Sequence, residues 1–235
     1  MDGGVVTERQ QGTPQGGPIS PLLANVLLNE VDKALEARGY RFARYADDCN
    51  VYVGSMKAGQ RVMVLLQRCY AALRLQINEA KSAVASVLGR KFLGYALWVA
   101  KGREVRCRVA YQALQDFKAH IRQLTARSGG RNLQQVVADL RPYLLGWKAY
   151  FGLAQTPRVW RQLDMWVRHR LRAIQLKQWR RGTTIYRELI ARGAPRDVAL
   201  QVAANGRRWW HNSARLLHSV LTIAYFDRLG LPRLS

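Results

Sequence analysis

The sequence predicts an α+β unit followed by an all-helical one. Three observations carry this reading. Up to about Ala110, helix-spaced apolar residues alternate with short β-branched and aromatic runs, whereas beyond it nearly every apolar residue recurs at a spacing of three and four. Charge changes at the same place: residues 1–110 hold 16 basic and 9 acidic side chains, net +7, and residues 111–235 hold 22 and 6, net +16. No internal repeat, low-complexity tract or long Gly/Ser linker separates the halves. We therefore place two closely packed domains at 1–110 and 111–235.

In the first half, PISPLLANVLLNEVDKALEARG sets Leu23, Val26, Leu27, Val31, Ala34 and Leu35 at helical spacing, with Gly39 as the stop. YRFARYADDCNVYVG then reads as a β-hairpin whose turn is Ala46-Asp47-Asp48-Cys49. A second helix, Ala58 to Leu75, places Val62, Leu65, Leu66, Cys69 and Leu73 on one face. Strands are expected over Val84 to Leu88 and over Lys91 to Val99. Helix, hairpin, helix, strands is an antiparallel α+β order, not a parallel βαβ sheet.

The second half opens with LQDFKAHIRQL, where Leu114, Phe117, Ile121 and Leu124 form an amphipathic stripe ending at Ser128-Gly129-Gly130. Asn132 is a natural N-cap for a helix bearing Leu133, Val136, Val137 and Leu140. Pro142 is expected to start a new segment, PYLLGWKAYFG, because proline lacks the N–H that a helix interior uses. Thr156-Pro157 marks the next start, and Trp160, Leu163, Val167, Leu171 and Ile174 give that helix its apolar stripe. Trp160 is expected in the core; Trp179 could face either way.

Composition limits the partners. Thirty-eight Lys and Arg against 15 Asp and Glu, with a pI near 11.0, favour a polyanion: nucleic acid first, an anionic membrane surface second. Apolar runs such as Val62 to Leu66 are far shorter than a spanning helix, and the start MDGGVVTERQQG lacks a signal peptide's order, so a cytoplasmic protein without membrane attachment is expected. Cys49, Cys69 and Cys107 lie far apart with no CxxC pair, which predicts three reduced thiols.

Between Arg158 and Arg181 stand Arg158, Arg161, Arg168, Arg170, Arg172, Lys177, Arg180 and Arg181 against one acid, Asp164, interleaved with Trp160, Trp166 and Trp179. Solvated helix faces normally mix signs; this one scarcely does. Guanidinium groups hold phosphate through two bonds and stack on bases, so these eight are read as RNA contacts. If roughly six met phosphate, the log–log salt slope would be about −4 to −5.

Asp47 and Asp48 raise a different question. Aspartate is a common turn residue, so a lone pair can simply solvate a hairpin tip. A tight tip also fixes two oxygen donors as a hard cation requires. Upstream, GTPQGGPISPLLAN is a Gly/Pro-punctuated loop entering a helix N-terminus, where free N–H groups favour phosphate. Metal and phosphate together imply phosphoryl or nucleotidyl transfer with two metals about 4 Å apart.

GTPQGGPISPLLANVLLNEVD, RYADD, NEAKS (Asn78 to Ser82) and KFLGY occur in the order and approximate spacing found in reverse transcriptases encoded by group II introns, and the chain resembles that family over nearly its whole length. The resemblance implies a partial polymerase palm over 1–110, an RNA-directed DNA polymerase chemistry, and Mg²⁺ at Asp47 and Asp48. It places Gln15, Gly16, Gly17, Pro18, Tyr45, Ala46 and Lys81 against the incoming nucleotide or template, and makes Phe92, Leu93, Gly94 and Tyr95 a primer-positioning hairpin. RPYLLGWKAYFG, LDMWVRHRLRAIQLKQWRR and GRRWWHNSARLLHSVLTIAYFDRLGLPRL are similar to the family's helical thumb, or maturase, domain, placed at 111–235. Implied partners are group II intron RNA, an RNA template, a DNA primer and dNTPs. His211 and Asn212 in WWHNS could suggest an HNH nuclease, but no second His or Cys cluster follows.

One departure bears on activity. The resemblance begins just before the PQGG loop, so the fingers and the palm strand bearing a third metal-binding Asp are expected to be missing, and neither Asp2 nor Asp32 replaces that residue. The expectation has two levels: by family, a nucleotidyltransferase with splicing function; for this chain alone, RNA binding with little or no polymerisation unless an N-terminal reverse-transcriptase half joins it. The alternative is a non-catalytic RNA-binding maturase-like fragment or a degenerate remnant.

Overall fold

The computed structural model describes residues 18–127 and 129–235, and the chain forms two compact units, one ending at Ser86 and the other starting at Val87. Gln15, Gly16 and Gly17 lie outside the described residues.

In the first unit α1 (Ser20–Glu36) starts with proline in its first turn, and Gly39, at φ 69°, follows its end. Its buried face, Leu28, Val31 and Leu35, meets half-buried Phe42, Cys49, Val51, Leu65, Leu66 and Cys69. Strands β1 (Arg41–Tyr45) and β2 (Asp48–Tyr52) pair antiparallel, from Arg41 opposite Tyr52 to Tyr45 opposite Asp48. Helix α2 (Met56–Ala72) begins two residues before Ala58 because the Ser55 hydroxyl accepts the Ala58 N–H at 3.2 Å. The strand expected at Val84 to Leu88 makes only one isolated bridge, Leu88 with Leu97. Val84 instead packs over α2 at Gly59, occupying the space a Cβ there would fill.

In the second unit β3 (Lys91–Phe92), β4 (Tyr95–Val99) and β5 (Val105–Val109) form an antiparallel meander. The strand expected from the residue pattern over Lys91 to Val99 is two, β3 and β4, turning at the Phe92 to Tyr95 hairpin that the resemblance implies, and β5 is unexpected although VRCRV alternates as a half-buried strand does. The meander packs with helices, which is why the unit starts ahead of Ala110: the Ala110 N–H donates to the Gly94 carbonyl at 2.7 Å, the Gln155 N–H donates to Cys107 at 2.9 Å, and the Tyr95 and Phe151 rings lie 5.3 Å apart.

Helices α3 (Tyr111–Leu124), α4 (Leu133–Tyr150) and α5 (Pro157–Trp179) follow, then α6 (Gly182–Ile190), α7 (Arg196–Ala204), α8 (Trp209–Arg215) and α9 (Ile223–Arg228). Asn132 caps α4 as expected, in a reciprocal capping box with Gln135. Pro142, expected to begin a segment, lies inside α4. A proline there costs about 3 kcal/mol, and burial of Val136, Val137, Leu140, Leu144 and Trp147 along one continuous face offsets it. Thr156 precedes α5, but its hydroxyl makes no cap and is buried without a partner among the described residues.

α5 is the axis of this unit. Buried positions on it include Trp160, Leu163, Val167, Leu171, Ile174, Leu176 and Trp179, and they join a core running from Val109 to Leu234. The three cysteines are unpaired, and no helix among the described residues is long and apolar enough to cross a membrane.

Candidate active-site turn and nucleic-acid interface

Register decides which way the β1–β2 hairpin presents its side chains. Alternation puts Phe42, Arg44, Cys49 and Val51 on one face, and Tyr45, Asp48 and Asn50 on the other. The turn itself is only Ala46-Asp47; Asp48 and Cys49, expected in it, are the first residues of β2. Asp47 and Asp48 are both exposed, one at the tip and one on the open face beside Tyr45, so their oxygens are accessible to a cation. Ala46 adopts φ 52°, a left-handed conformation that typically costs an alanine about 1 kcal/mol or more.

A polar clamp holds that turn. Arg44 donates from Nε to both Asp32 oxygens at 2.8 and 3.0 Å, from Nη2 to Asp32 at 2.6 Å, and from Nη1 to Asn25 Oδ1 at 2.9 Å and to the Ala46 carbonyl at 3.0 Å. One guanidinium thus ties α1 to the peptide that precedes Asp47. The bond to Asp32 raises the Arg44 pKa above its ordinary value. Asp32 is fully engaged here and does not join Asp47 and Asp48, and among the described residues no three carboxylate, His or Cys groups converge as metal ligands. Burial pushes the Cys49 thiol up, which keeps it protonated and unreactive.

The other expected site residues lie on other elements of the chain. Pro18 lies in an exposed turn before α1, and Lys81 is exposed in a turn where its N–H donates to Asn78 Oδ1 at 3.2 Å. Phe92-Leu93-Gly94-Tyr95 is a two-residue hairpin, with Leu93 at φ 50° and Gly94 at φ 75°, the pattern of a type I′ turn. Tyr150 Oη donates to the Leu93 carbonyl at 3.1 Å, and a Cβ at Gly94 would lie 3.0 Å from the Phe151 ring.

On α5 the eight cations divide. Arg158, Arg161, Arg180 and Arg181 are exposed, and Arg170 and Lys177 are half-buried. Arg168 and Arg172 are buried, because a helix at the centre of a bundle has little outer face. Arg172 Nε donates to the Leu221 carbonyl at 2.9 Å with its guanidinium over the Phe226 ring, and burial pushes its pKa down to about 10. Asp164 accepts from the Leu234 and Ser235 N–H groups at 3.0 Å and lies 4.0 Å from Arg168. Trp179, left open by the sequence, is buried under Arg192.

Arg170 and Trp166, both in the expected RNA-contact segment, are joined by a cation from α3 that the sequence does not single out, Arg122. Arg122 and Arg170 flank the Trp166 ring at 5.6 and 5.4 Å, and Arg170 Nε donates to Thr125 Oγ1 at 2.6 Å. Burial lowers the Arg170 pKa, and repulsion from Arg122 and Arg127 lowers it further. Arg122 and Arg170 thus bring like charge to one indole, and neither forms an ion pair among the described residues.

Comparison with known proteins bears on both regions. The family model for reverse transcriptase (RNA-dependent DNA polymerase) matches residues 3–97, and that for the group II intron maturase-specific domain matches residues 114–192. The chain belongs to the group II intron reverse transcriptase–maturases. The first match contains the Asp47-Asp48 turn and the second runs from α3 past α6, so this reverse transcriptase–maturase chain carries a mixed α+β part and a helical part, as its sequence predicts. Protein YkfC of Escherichia coli (strain K12) is 29% identical over 154 residues, 49% of this chain and 40% of YkfC. Retron Ec86 reverse transcriptase of Escherichia coli is 33% identical over 76 residues, 31% of this chain and 24% of the relative. The chain spans less than half the length of these curated relatives. Reverse transcriptases generally use Mg²⁺, and both matched domains act on nucleic acid.

Proposed function

We propose that this chain serves RNA-directed DNA synthesis and the binding of a group II intron RNA, with the metal chemistry at the Asp47-Asp48 turn and the RNA on the helical unit. The observation that carries the first part is the exposed carboxylate pair on a turn held by Arg44, inside the reverse-transcriptase match. Two hard oxygen donors fit Mg²⁺, which characteristically takes one or two carboxylates and completes its shell with substrate phosphates and water. Bound there, Mg²⁺ would supply charge stabilisation for the attacking and leaving oxygens of nucleotidyl transfer. The chain's own part is positional. Arg44 holds the Ala46 carbonyl and so fixes where Asp47 begins, while Tyr45 and Asp48 share the open face where template and primer would lie. Gln15, Gly16, Gly17, Pro18 and Lys81 are assigned to nucleotide and template, and Phe92 to Tyr95 to the primer.

On this reading residues 1–110 are palm and 111–235 are thumb and maturase, a functional division that the limits of the two family matches support. RNA contact is assigned to the exposed Arg158, Arg161, Arg180 and Arg181, with Arg170 and Lys177 at the margin. Arg168 and Arg172 act by supporting α5 from within. A second reading, RNA binding without polymerisation, is favoured by the lack of a third converging ligand among the described residues.

Primer extension on an RNA template with Mg²⁺ and dNTPs tests both. The chain alone, the chain with a reverse-transcriptase N-terminal half, and both with Asp47→Ala are compared. Extension in the complemented mixture that Asp47→Ala abolishes supports the polymerase assignment. Salt-sensitive RNA binding without extension in any mixture leaves the binding reading, and absence of RNA binding removes both.

A further inference from the structure

The helical unit carries a cleft whose centre, Arg207 to Arg215, lies beyond the maturase-domain match. It is a concavity of about 490 Å³, and a second one of about 240 Å³ adjoins it. Trp210 lines both. The residue is 47% exposed, yet its ring is firmly seated: the His169 ring stacks on it at 3.6 Å and 29°, and His169 Nε2 lies 2.9 Å from the Trp210 carbonyl oxygen. The neighbouring Trp209 is already occupied, with Arg127 and Lys177 over its ring at 5.3 and 5.5 Å. Trp210 has no cation over it among the described residues.

Around this indole Arg127, Arg207, Arg208 and Arg215 are exposed, and none has a carboxylate within 4.0 Å among the described residues. Such a surface excludes an acidic protein poorly and a nucleic acid least of all. The aromatic face selects further. A paired base is stacked on its neighbours and offers no free π-face, and A-form duplexes hide their bases in a deep, narrow groove. An unpaired base can lie on an indole while its flanking phosphates reach the surrounding guanidinium groups.

We infer that Trp210 is the stacking platform for one unpaired nucleobase of an RNA strand, with Arg127, Arg207, Arg208 and Arg215 holding the adjacent phosphates. This rests on the reading of the helical unit as an RNA-binding surface and adds to it a strandedness preference and a location. The sequence places WWHNS in the maturase-like region and offers a nuclease motif there, but assigns Trp210 no role of its own. Asn212 is buried and donates to the Asn205 carbonyl at 2.9 Å, so it supports the cleft from below.

The test uses the full chain with three probes: a single-stranded RNA of about ten nucleotides, a blunt RNA duplex of the same sequence, and the matching single-stranded DNA. Trp210→Ala should weaken single-stranded RNA about tenfold and the duplex less than about twofold, and Trp210→Phe should restore most of the single-strand affinity. Equal loss on single strand and duplex would mean that Trp210 acts through the fold, and the inference falls. Unchanged single-strand binding, with loss on combined Arg158→Ala, Arg161→Ala, Arg180→Ala and Arg181→Ala, removes the platform and leaves the general RNA reading standing. Trp210-dependent binding to the DNA alone overturns the RNA assignment, and no binding to any probe by the unmodified chain removes both readings. Photo-crosslinking of 4-thiouridine RNA to the unmodified chain needs no variant. Adducts on the peptide carrying Arg207 to Arg215 are expected, and adducts confined elsewhere overturn the inference.

Discussion

In the first unit Leu28, Val31 and Leu35 form a small enclosed cluster against which half-buried side chains pack; in the second, a continuous core extends from Val109 to Leu234. The two regions also treat charge in opposite ways. Arg44 and Asp32, with side chains only 12% and 16% exposed, make the first unit's firmest polar link beneath the turn that bears the carboxylates. Among the described residues, the second unit leaves most of its cations outside and without a carboxylate partner. A small core with a polar clamp positions a few atoms; a large apolar core can carry a like-charged surface that would weaken a smaller domain. The first unit also leaves Leu22 and Val26 of α1 64% exposed, so its own core is not the whole use of that helix.

The largest effect expected from separating the two roles is on rate. In the complemented extension assay Asp47→Asn should lower activity by on the order of a thousandfold, since a carboxylate that holds a metal acts where charge develops. RNA affinity should stay within about twofold, because the cations sit on the other unit. A comparable loss of RNA affinity would join what the comparison separates.

Core truncation comes next. Leu171→Ala, at a fully buried position in the middle of α5, should destabilise the second unit by about 3–4 kcal/mol. Leu35→Ala should cost the first unit about 2–3 kcal/mol, because half-buried neighbours can relax into the space. Calorimetry with both variants should show two transitions that move independently. A single transition shifted equally by either variant would refute independent cores.

Arg44→Leu leaves Asp32 unpaired in a partly enclosed site and should cost about 2–3 kcal/mol, with extension reduced as the Ala46 carbonyl is released. Adding Asp32→Asn should recover stability but not extension. Recovery of both would make the clamp purely structural.

Much of this was legible in the sequence. Periodicity located α1, α2, α3 and α5, and Asn132 marked the start of α4, because each is specified by local spacing or local capping. Pro142 misled because a local rule was overridden by a continuous buried face contributed from elsewhere in the chain. Composition alone put Arg168 and Arg172 on the surface; only the position of α5 at the centre of its unit turns them inward. The Arg44 clamp had a readable signal, since Arg44 shares strand parity with Phe42, but its partner Asp32 lies twelve residues away on a helix face. The packing of the FLGY hairpin on α4 depends on contacts that no local pattern encodes.

Salt dependence measures the outer cations directly. For each of Arg158, Arg161, Arg180 and Arg181 replaced by Ala, the log–log slope of RNA binding should flatten by about 0.7–0.9 if that residue meets phosphate. Arg172→Met should leave the slope unchanged and alter stability instead, since Arg172 is enclosed over Phe226. A flattened slope for Arg172→Met would return it to the RNA surface.

The smallest effect expected is on pH dependence, through His169. Burial lowers its pKa and the nearby Arg172 and Arg170 lower it further, outweighing the bond to the Trp210 carbonyl. The folded chain therefore favours the neutral imidazole, while the unfolded chain takes up a proton near the ordinary histidine value of about 6.5. Below that pH the unfolded state holds more protons, so this group's contribution to stability falls as pH falls and is flat above neutrality. Melting temperatures at pH 7.5 and 5.5 should differ less in His169→Phe than in the unmodified chain, because phenylalanine keeps the ring stack on Trp210 and removes the titration. An unchanged difference would mean that the imidazole is not held neutral by its surroundings. A larger one would mean that protonated His169 is stabilising, and that the cleft around Trp210 holds negative charge despite its arginines.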